Sequence, residues 1–152
     1  MIATAQSDWR GESMDVEPID ESSMARVEVQ ALLGDGRVVP ALILMGKQPG
    51  YLAVVRVWVE GVPPADARES DYFEALRTAR RQLDPYGVRL LVNGARRDVW
   101  ASGMAREMSR GMRIYLIERG KPAEHVVDLL APCDASLVGT VQEQDDYYWR
   151  RT

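Results

Sequence analysis

The sequence predicts an α+β domain in which an antiparallel sheet of about five strands carries two to three helices, packed mainly on one face. Residues 27–60 contain three β-type segments joined by short glycine-bearing turns, which is typical of an antiparallel meander. Apolar residues at helical spacing follow over 72–83. Shorter strand and helix patterns then alternate along the rest of the chain.

The meander is predicted from two kinds of hydrophobic pattern. Apolar residues occupy every second position from Val27 to Leu33, which indicates a half-buried strand. The run 38–45 is apolar at both alternating sets of positions, so we place this strand centrally in the sheet, with Pro40 near its start. A third strand is predicted over 51–60.

The first helix is predicted from a stripe formed by Phe73, Leu76 and Leu83. Asp66 and Glu69 have the spacing of a capping box before this helix, and the segment 84–87 ends it. Burying each of the three stripe residues stabilises the fold by about 1.5–3 kcal/mol.

The second half of the chain is predicted from shorter patterns. They are a strand over 88–92, a helix over 98–110, a strand over 112–117, a helix over 123–130 after Pro122, and a last edge strand over 137–141.

Charge divides the chain into three parts. Residues 1–23 carry six acidic residues and one arginine, a net charge of −5, and are predicted to be a mobile acidic arm. Met24 opens the first periodic segment, so translation starting there is an alternative explanation of the arm. Residues 24–141 are predicted to form a single α+β domain, and 142–152 a polar, aromatic-tipped tail.

Composition excludes several classes of protein. A chain with one histidine and one cysteine cannot build a His/Cys zinc cluster or an internal disulfide. No apolar run approaches the ~20 residues of a membrane-spanning helix, so we expect a cytoplasmic chain without a membrane partner. We also expect no metal and no cofactor, because the carboxylates lack ligand spacing.

Catalytic groups are scarce. His125 is the only histidine, and Asp128 lies three residues on, where a helix would bring the two together. Cys133 and Ser102 are the candidate nucleophiles, but neither lies in a known nucleophile motif, and Asp134 should raise the pKa of the thiol. We therefore predict no catalytic residue.

Two features are candidates for binding a partner. Arg77, Arg80 and Arg81 are predicted to form a basic strip on the helix face opposite the apolar stripe, either as a solvated surface or as a docking surface for an acidic protein. Tyr147, Tyr148 and Trp149 either fold back onto the sheet or anchor a partner. The acidic pI of about 5.1 argues against nucleic acid.

The segment 93–108, NGARRDVWASGMAREM, followed by Gly111 and Tyr115, resembles a motif of small uncharacterised bacterial proteins. The resemblance implies an immunity-type protein that binds a toxin or effector, and it assigns no catalytic residue. The motif has a proline before Ser-Gly-Met, where this chain has Ala101.

The same segment has a physical interpretation of its own. Ser102 can cap a helix and the methionines supply an adaptable apolar face. Alternatively, Arg96, Arg97, Ser102 and Arg106 line an anion-accepting corner.

These observations lead to two functional hypotheses. The first is a non-enzymatic protein-binding module, an immunity or adaptor protein. The alternative is a small-molecule- or nucleotide-binding protein, or an enzyme, that uses the arginine-lined anion site at 96–106.

Overall fold

The computed structural model describes residues 20–50 and 52–150. Its larger sheet is antiparallel and has five strands in the order β4-β3-β2-β1-β5. They are β1 (Ala25–Leu32), β2 (Val38–Gln48), β3 (Leu52–Val59), β4 (Ala65–Glu69) and β5 (Arg89–Leu90). The α+β class and the N-terminal meander are thus confirmed, and β2 is the central strand.

Helix α1 (Tyr72–Leu83) covers one face of this sheet. Phe73, Leu76 and Leu83 are all buried in the main core, as the stripe predicted. The valines of β3 at odd positions, such as Val55 and Val57, face the same core because side chains alternate along a strand.

The predicted capping box of α1 is wrong. Asp66 and Glu69 lie in β4, where Ala65 and Ala67 alternate with charged residues and pack into the core. Pairing with β3 decides the conformation of this segment. The N-cap is Asp71 instead, whose carboxylate accepts a hydrogen bond of 2.9 Å from the Glu74 N–H.

A smaller antiparallel sheet follows, with strands in the order β6-β7-β8. It contains β6 (Val99–Trp100), β7 (Arg113–Leu116) and β8 (Val126–Asp128), and helix α2 (Gly103–Ser109) joins β6 to β7. The predicted helix over 98–110 therefore begins later, at the N-cap Ser102. The predicted helix over 123–130 is wrong, because the β-branched Val126 and Val127 pair with β7 as a strand.

The end of the chain is helical. Helix α3 (Val141–Trp149) begins at a capping box in which the Thr140 hydroxyl accepts from the Glu143 N–H and the Glu143 carboxylate accepts from the Thr140 N–H. The predicted edge strand over 137–141 is wrong: residues 135–137 form a 3₁₀ turn and Val141 already belongs to α3. The polar, aromatic-tipped segment predicted from 142 is helical as far as Trp149.

A second, smaller core lies on the sheet face opposite α1. Met24, Leu44 and Val54 are buried there, beside the fully buried Arg56. The Arg56 guanidinium donates to Asp66 and Glu21 at 2.8 and 3.0 Å. Of the predicted acidic arm, residues 20–23 are described: Asp20 is the N-cap of a 3₁₀ turn, Glu21–Ser23, before β1. Residues 1–19 of the arm and the tail residues 151–152 lie outside the described residues.

Candidate functional site

The predicted basic strip is mostly internal. Arg77 and Arg80 are only 4% and 3% exposed, and Arg81 alone lies at the surface. The prediction of an exposed strip is therefore wrong for two of its three residues. The reason is that α3, a helix that the sequence pattern did not predict, packs against this face of α1.

Gln144 of α3 lies at the centre of this buried contact and is fully buried. Its side-chain oxygen accepts from Arg77 and Arg80 at 3.0 and 3.1 Å. Its amide nitrogen donates to the carbonyl oxygens of Gly94 and Arg96 at 3.1 and 2.8 Å. One side chain thus joins α1, α3 and the turn that precedes β6.

Arg80 is held almost entirely by neutral acceptors. Besides Gln144, it donates to the carbonyl oxygens of Gly94 and Gly139 at 3.1 and 2.8 Å. Burial lowers the pKa of Arg80 to about 10, and the nearby Asp84 partly opposes this effect. Because that value is still well above neutrality, Arg80 stays charged and acts as a structural anchor for three backbone segments.

Carboxylates surround the exposed end of the same cluster. Arg77 pairs with Glu74 and with Asp145 of α3. Arg106 of α2 pairs with Asp71 at 2.8 Å and with Glu74 at 3.0 Å. These arginines therefore fasten α2 and α3 to α1, and their donors already have partners within the chain.

The predicted anion-binding corner does not assemble. Arg96 forms a two-pronged pair with Asp98, with both N–O distances at 2.8 Å. Arg97 donates to the carbonyl oxygens of Val138 and Ser136 at 2.8 and 2.9 Å. The two arginines are adjacent in sequence but serve different partners.

The other two candidates of that corner are also engaged. The Ser102 hydroxyl accepts from the Ala105 N–H at 3.0 Å, so Ser102 caps α2 as its residue type suggested. Arg106 pairs with Asp71 at 2.8 Å and donates to the Ala101 carbonyl oxygen, just before α2, at 3.2 Å. Carboxylates pair with Arg96 and Arg106, and backbone carbonyl oxygens accept from Arg97, so the geometry gives the anion-site hypothesis no support.

Two of the three aromatic residues near the C-terminus fold back onto the domain. The Tyr147 hydroxyl donates to the Ile117 carbonyl oxygen at 3.1 Å. The Tyr148 ring stacks on Trp100 with centroids 4.2 Å apart and an interplanar angle of 11°. Trp149 remains 72% exposed. Of the two alternatives for this segment, folding back holds for both tyrosines, and only Trp149 is presented to solvent.

An apolar surface lies between α2 and the smaller sheet. We call it the methionine face, and it consists of Met104 and Met108 of α2, Tyr115 of β7 and Val126 of β8. Met104 and Met108 are 66% and 81% exposed. None of the residues of α2 is buried. The four side chains line a depression of about 220 Å³ between α2 and the strands, and a second depression of about 180 Å³ shares Tyr115 and extends to Tyr148.

The sequence identified the methionines but not their exposure. Trp100, Met104 and Met108 have helical spacing, which predicts one helix face. In the structure Trp100 belongs to β6 and stacks on Tyr148, so it does not share a face with the methionines. Helix α2 is joined to α1 through Arg106 and also contacts β7, while its two methionines remain exposed.

The predicted pairing of His125 with Asp128 is wrong. Asp128 lies in β8 and pairs with Arg113 at 3.1 Å, whereas the exposed His125 lies 3.9 Å from a Glu118 carboxylate oxygen. Among residues 20–50 and 52–150, no group of three or more histidine, cysteine or acidic residues could hold a metal ion.

Cys133 is a poor nucleophile in this setting. Burial raises the pKa of its thiol, the carboxylates of Asp134 and Asp98 raise it further, and Arg96 partly opposes them. The effect of Asp134 is the one that its position in the sequence predicted.

We expect alkylation of Cys133 by iodoacetamide to be slow at neutral pH, because a raised pKa lowers the thiolate fraction there. The rate should continue to rise beyond pH 9.0, the ordinary value for this group. The same protein in urea serves as the control and should react faster at neutral pH. A rate that reaches its plateau below pH 8 in the folded protein would contradict this assignment.

No helix in the described part of the chain is long and apolar enough to cross a membrane. No protein-family model matches the sequence, and no curated protein shows significant similarity to it.

Proposed function

We propose that this chain is a non-enzymatic protein-binding module whose partner docks on the methionine face. The observation that supports it most is that Met104 and Met108 are 66% and 81% exposed on a helix without a buried residue. Exposing large apolar side chains side by side is unfavourable in water, and such patches commonly mark interaction sites.

The side chains of this surface suit a protein partner. Methionine is unbranched and adapts its shape to the surface that covers it. Met104 and Met108 lie one helical turn apart, which spaces their side chains about 5–6 Å from each other. A partner helix with apolar residues one turn apart fits the depression between α2 and β8.

Two exposed ion pairs lie beside the methionine face. Arg113 pairs with Asp128 at 3.1 Å, and Lys121 pairs with Glu118 at 3.4 Å. We therefore expect recognition through apolar contact, with exposed charges contributing little. This replaces the expectation of an acidic partner, which depended on an exposed arginine strip.

The resemblance of the segment 93–108 to immunity-type proteins suggests the kind of partner. That segment contains Met104, Met108 and all of α2 except Ser109, so the part of the chain that carries the resemblance also carries both methionines of the proposed surface. We propose that the partner is a toxin or effector protein and that the chain acts as its immunity or adaptor protein.

The test uses the double variant Met104→Glu/Met108→Glu. Proteins retained by the wild-type chain from lysate of its host are identified, and the purified partner is titrated by calorimetry. We expect the double variant to bind at least about 100-fold more weakly, because burying two carboxylates in an apolar contact is costly and anchor residues dominate interfaces.

The matched control is Tyr86→Glu, which changes another exposed apolar residue, located after α1. It should bind like the wild type. Both variants should keep the wild-type free energy of unfolding within about 0.5 kcal/mol, since the altered side chains are exposed. Equal affinity of the double variant and the wild type would remove the methionine face as the docking surface.

A further inference from the structure

The outward-facing backbone groups have different partners at the two edges of the five-stranded sheet. At the β4 edge, the Asp66 N–H donates to the Gln82 side-chain oxygen at 2.9 Å, and the Gln82 amide donates to the Asp66 carbonyl oxygen at 2.8 Å. The side chain of Gln82 thus takes the place of a further strand. At the other edge, β5 pairs with β1 only at Ala31 and Leu32, so the described residues leave the first part of β1 without a neighbour on that side.

The direction of the backbone groups along this free edge follows from Pro40. Gln30 lies opposite Pro40, which has no N–H, and its carbonyl oxygen accepts from the Leu91 N–H at 2.8 Å. Gln30 therefore points its backbone groups away from β2. Because this direction alternates along an antiparallel strand, Glu28 and Arg26 point the same way and present two N–H and two carbonyl groups at the free edge.

The edge is also accessible. Arg26 and Glu28 are exposed. A groove of about 450 Å³, lined by Glu28, Gln30 and Leu91 among others, lies beside the end of the free segment. Among residues 20–50 and 52–150, no packed element therefore obstructs a further strand laid against Ala25–Val29.

We infer that a second copy of this chain pairs with this edge, its β1 running antiparallel to β1 of the first. Within the free segment Ala25–Val29 only Arg26 and Glu28 point their backbone groups outward, so pairing places at least one of them opposite Arg26 or Glu28 of the second copy. Two of the possible registers place Arg26 opposite Arg26, or Glu28 opposite Glu28, of the second copy. Like charges directly opposite each other are destabilising.

The remaining register has a two-fold axis at Val27. It places Arg26 opposite Glu28 of the second copy and Glu28 opposite Arg26 of the second copy. Two ion pairs result, and each copy supplies one residue to each pair. Val27 and Val29 are half-buried against the main core. The two Val27 side chains meet on that face of the extended sheet and bury each other further.

This pairing involves few residues and buries less surface than a stable dimer needs. We therefore expect reversible, concentration-dependent association. Sedimentation velocity at protein concentrations from about 5 to about 500 μM measures it. The variants Arg26→Glu and Glu28→Arg should each weaken association about tenfold, because each places two like-charge pairs opposite one another.

The decisive variant combines both changes, Arg26→Glu/Glu28→Arg. It restores opposite charges across the two-fold axis and should restore association to within about threefold of the wild type. Arg81→Glu, which makes the same charge change at another exposed arginine, should leave association unchanged. No rescue by the double variant would overturn the inference.

A second measurement on the wild type does not depend on any variant. Amide exchange of Arg26 and Glu28 should slow as concentration rises, whereas that of Val27, which points toward β2, should stay slow throughout. A chain that is monomeric over the whole range overturns the proposal. Association that Met104→Glu/Met108→Glu abolishes would also overturn it, since the contact would then lie on the methionine face.

Discussion

Gln144→Ala is expected to destabilise the fold by about 3 kcal/mol. The substitution removes the acceptor shared by Arg77 and Arg80 and the donor to the carbonyl oxygens of Gly94 and Arg96. All of these groups lie at or near a fully buried side chain. Buried polar groups that lose a partner cost far more than an exposed hydrogen bond contributes. Urea denaturation followed by circular dichroism measures the loss.

Gln142→Ala is the matched control on the same helix. Gln142 is exposed, and its amide donates only to Asp146 at 3.0 Å. Its loss should change the free energy of unfolding by less than about 0.5 kcal/mol. If Gln144→Ala cost no more than this control, the buried cluster would not be what holds α3 against α1.

Gly111→Ala should cost about 3 kcal/mol, for two separate reasons. Gly111 has a φ of +82°, a conformation that an alanine side chain disfavours. A Cβ there would also lie 2.7 Å from the Phe73 backbone nitrogen and 2.8 Å from an Asp71 carboxylate oxygen. Because Asp71 caps α1 and pairs with Arg106, the displacement reaches the contact between α1 and α2.

Gly120→Ala separates the two reasons. Its φ of +73° is similar, but a Cβ at Gly120 meets no heavy atom within 4 Å. We expect this variant to lose about 1 kcal/mol from backbone strain alone. The free energies of unfolding of the two variants, measured by thermal or urea denaturation, should differ by about 2 kcal/mol. Equal losses would show that the N-terminus of α1 accommodates a Cβ at position 111.

Local sequence patterns correctly predicted the helices and strands whose conformation is set by neighbouring residues. The alternation from Val27 to Leu33 predicted β1, the apolar run from 38 predicted the central β2, and the stripe of Phe73 predicted α1. Ser102 caps a helix, as its residue type suggested. Each of these depends on side-chain periodicity or on one local hydrogen bond, both of which are written in the sequence itself.

The errors arise where a distant segment decides the outcome. Residues 65–69 carry the spacing of a capping box, but pairing with β3 makes them a strand. Residues 126–128 follow a proline that suits a helix start, but pairing with β7 makes them β8. In both places the partner strand supplies backbone hydrogen bonds that outweigh a weak local preference.

By itself, the sequence determined the α+β class and the N-terminal meander, because composition and periodicity are local properties. Only the tertiary structure decided which arginines are buried, since Arg77 and Arg80 become internal when α3 packs over them. It also decided that the methionines of α2 lack a cover among the described residues. Exposure is a property of the neighbours that folding brings together, and sequence spacing alone does not specify those neighbours.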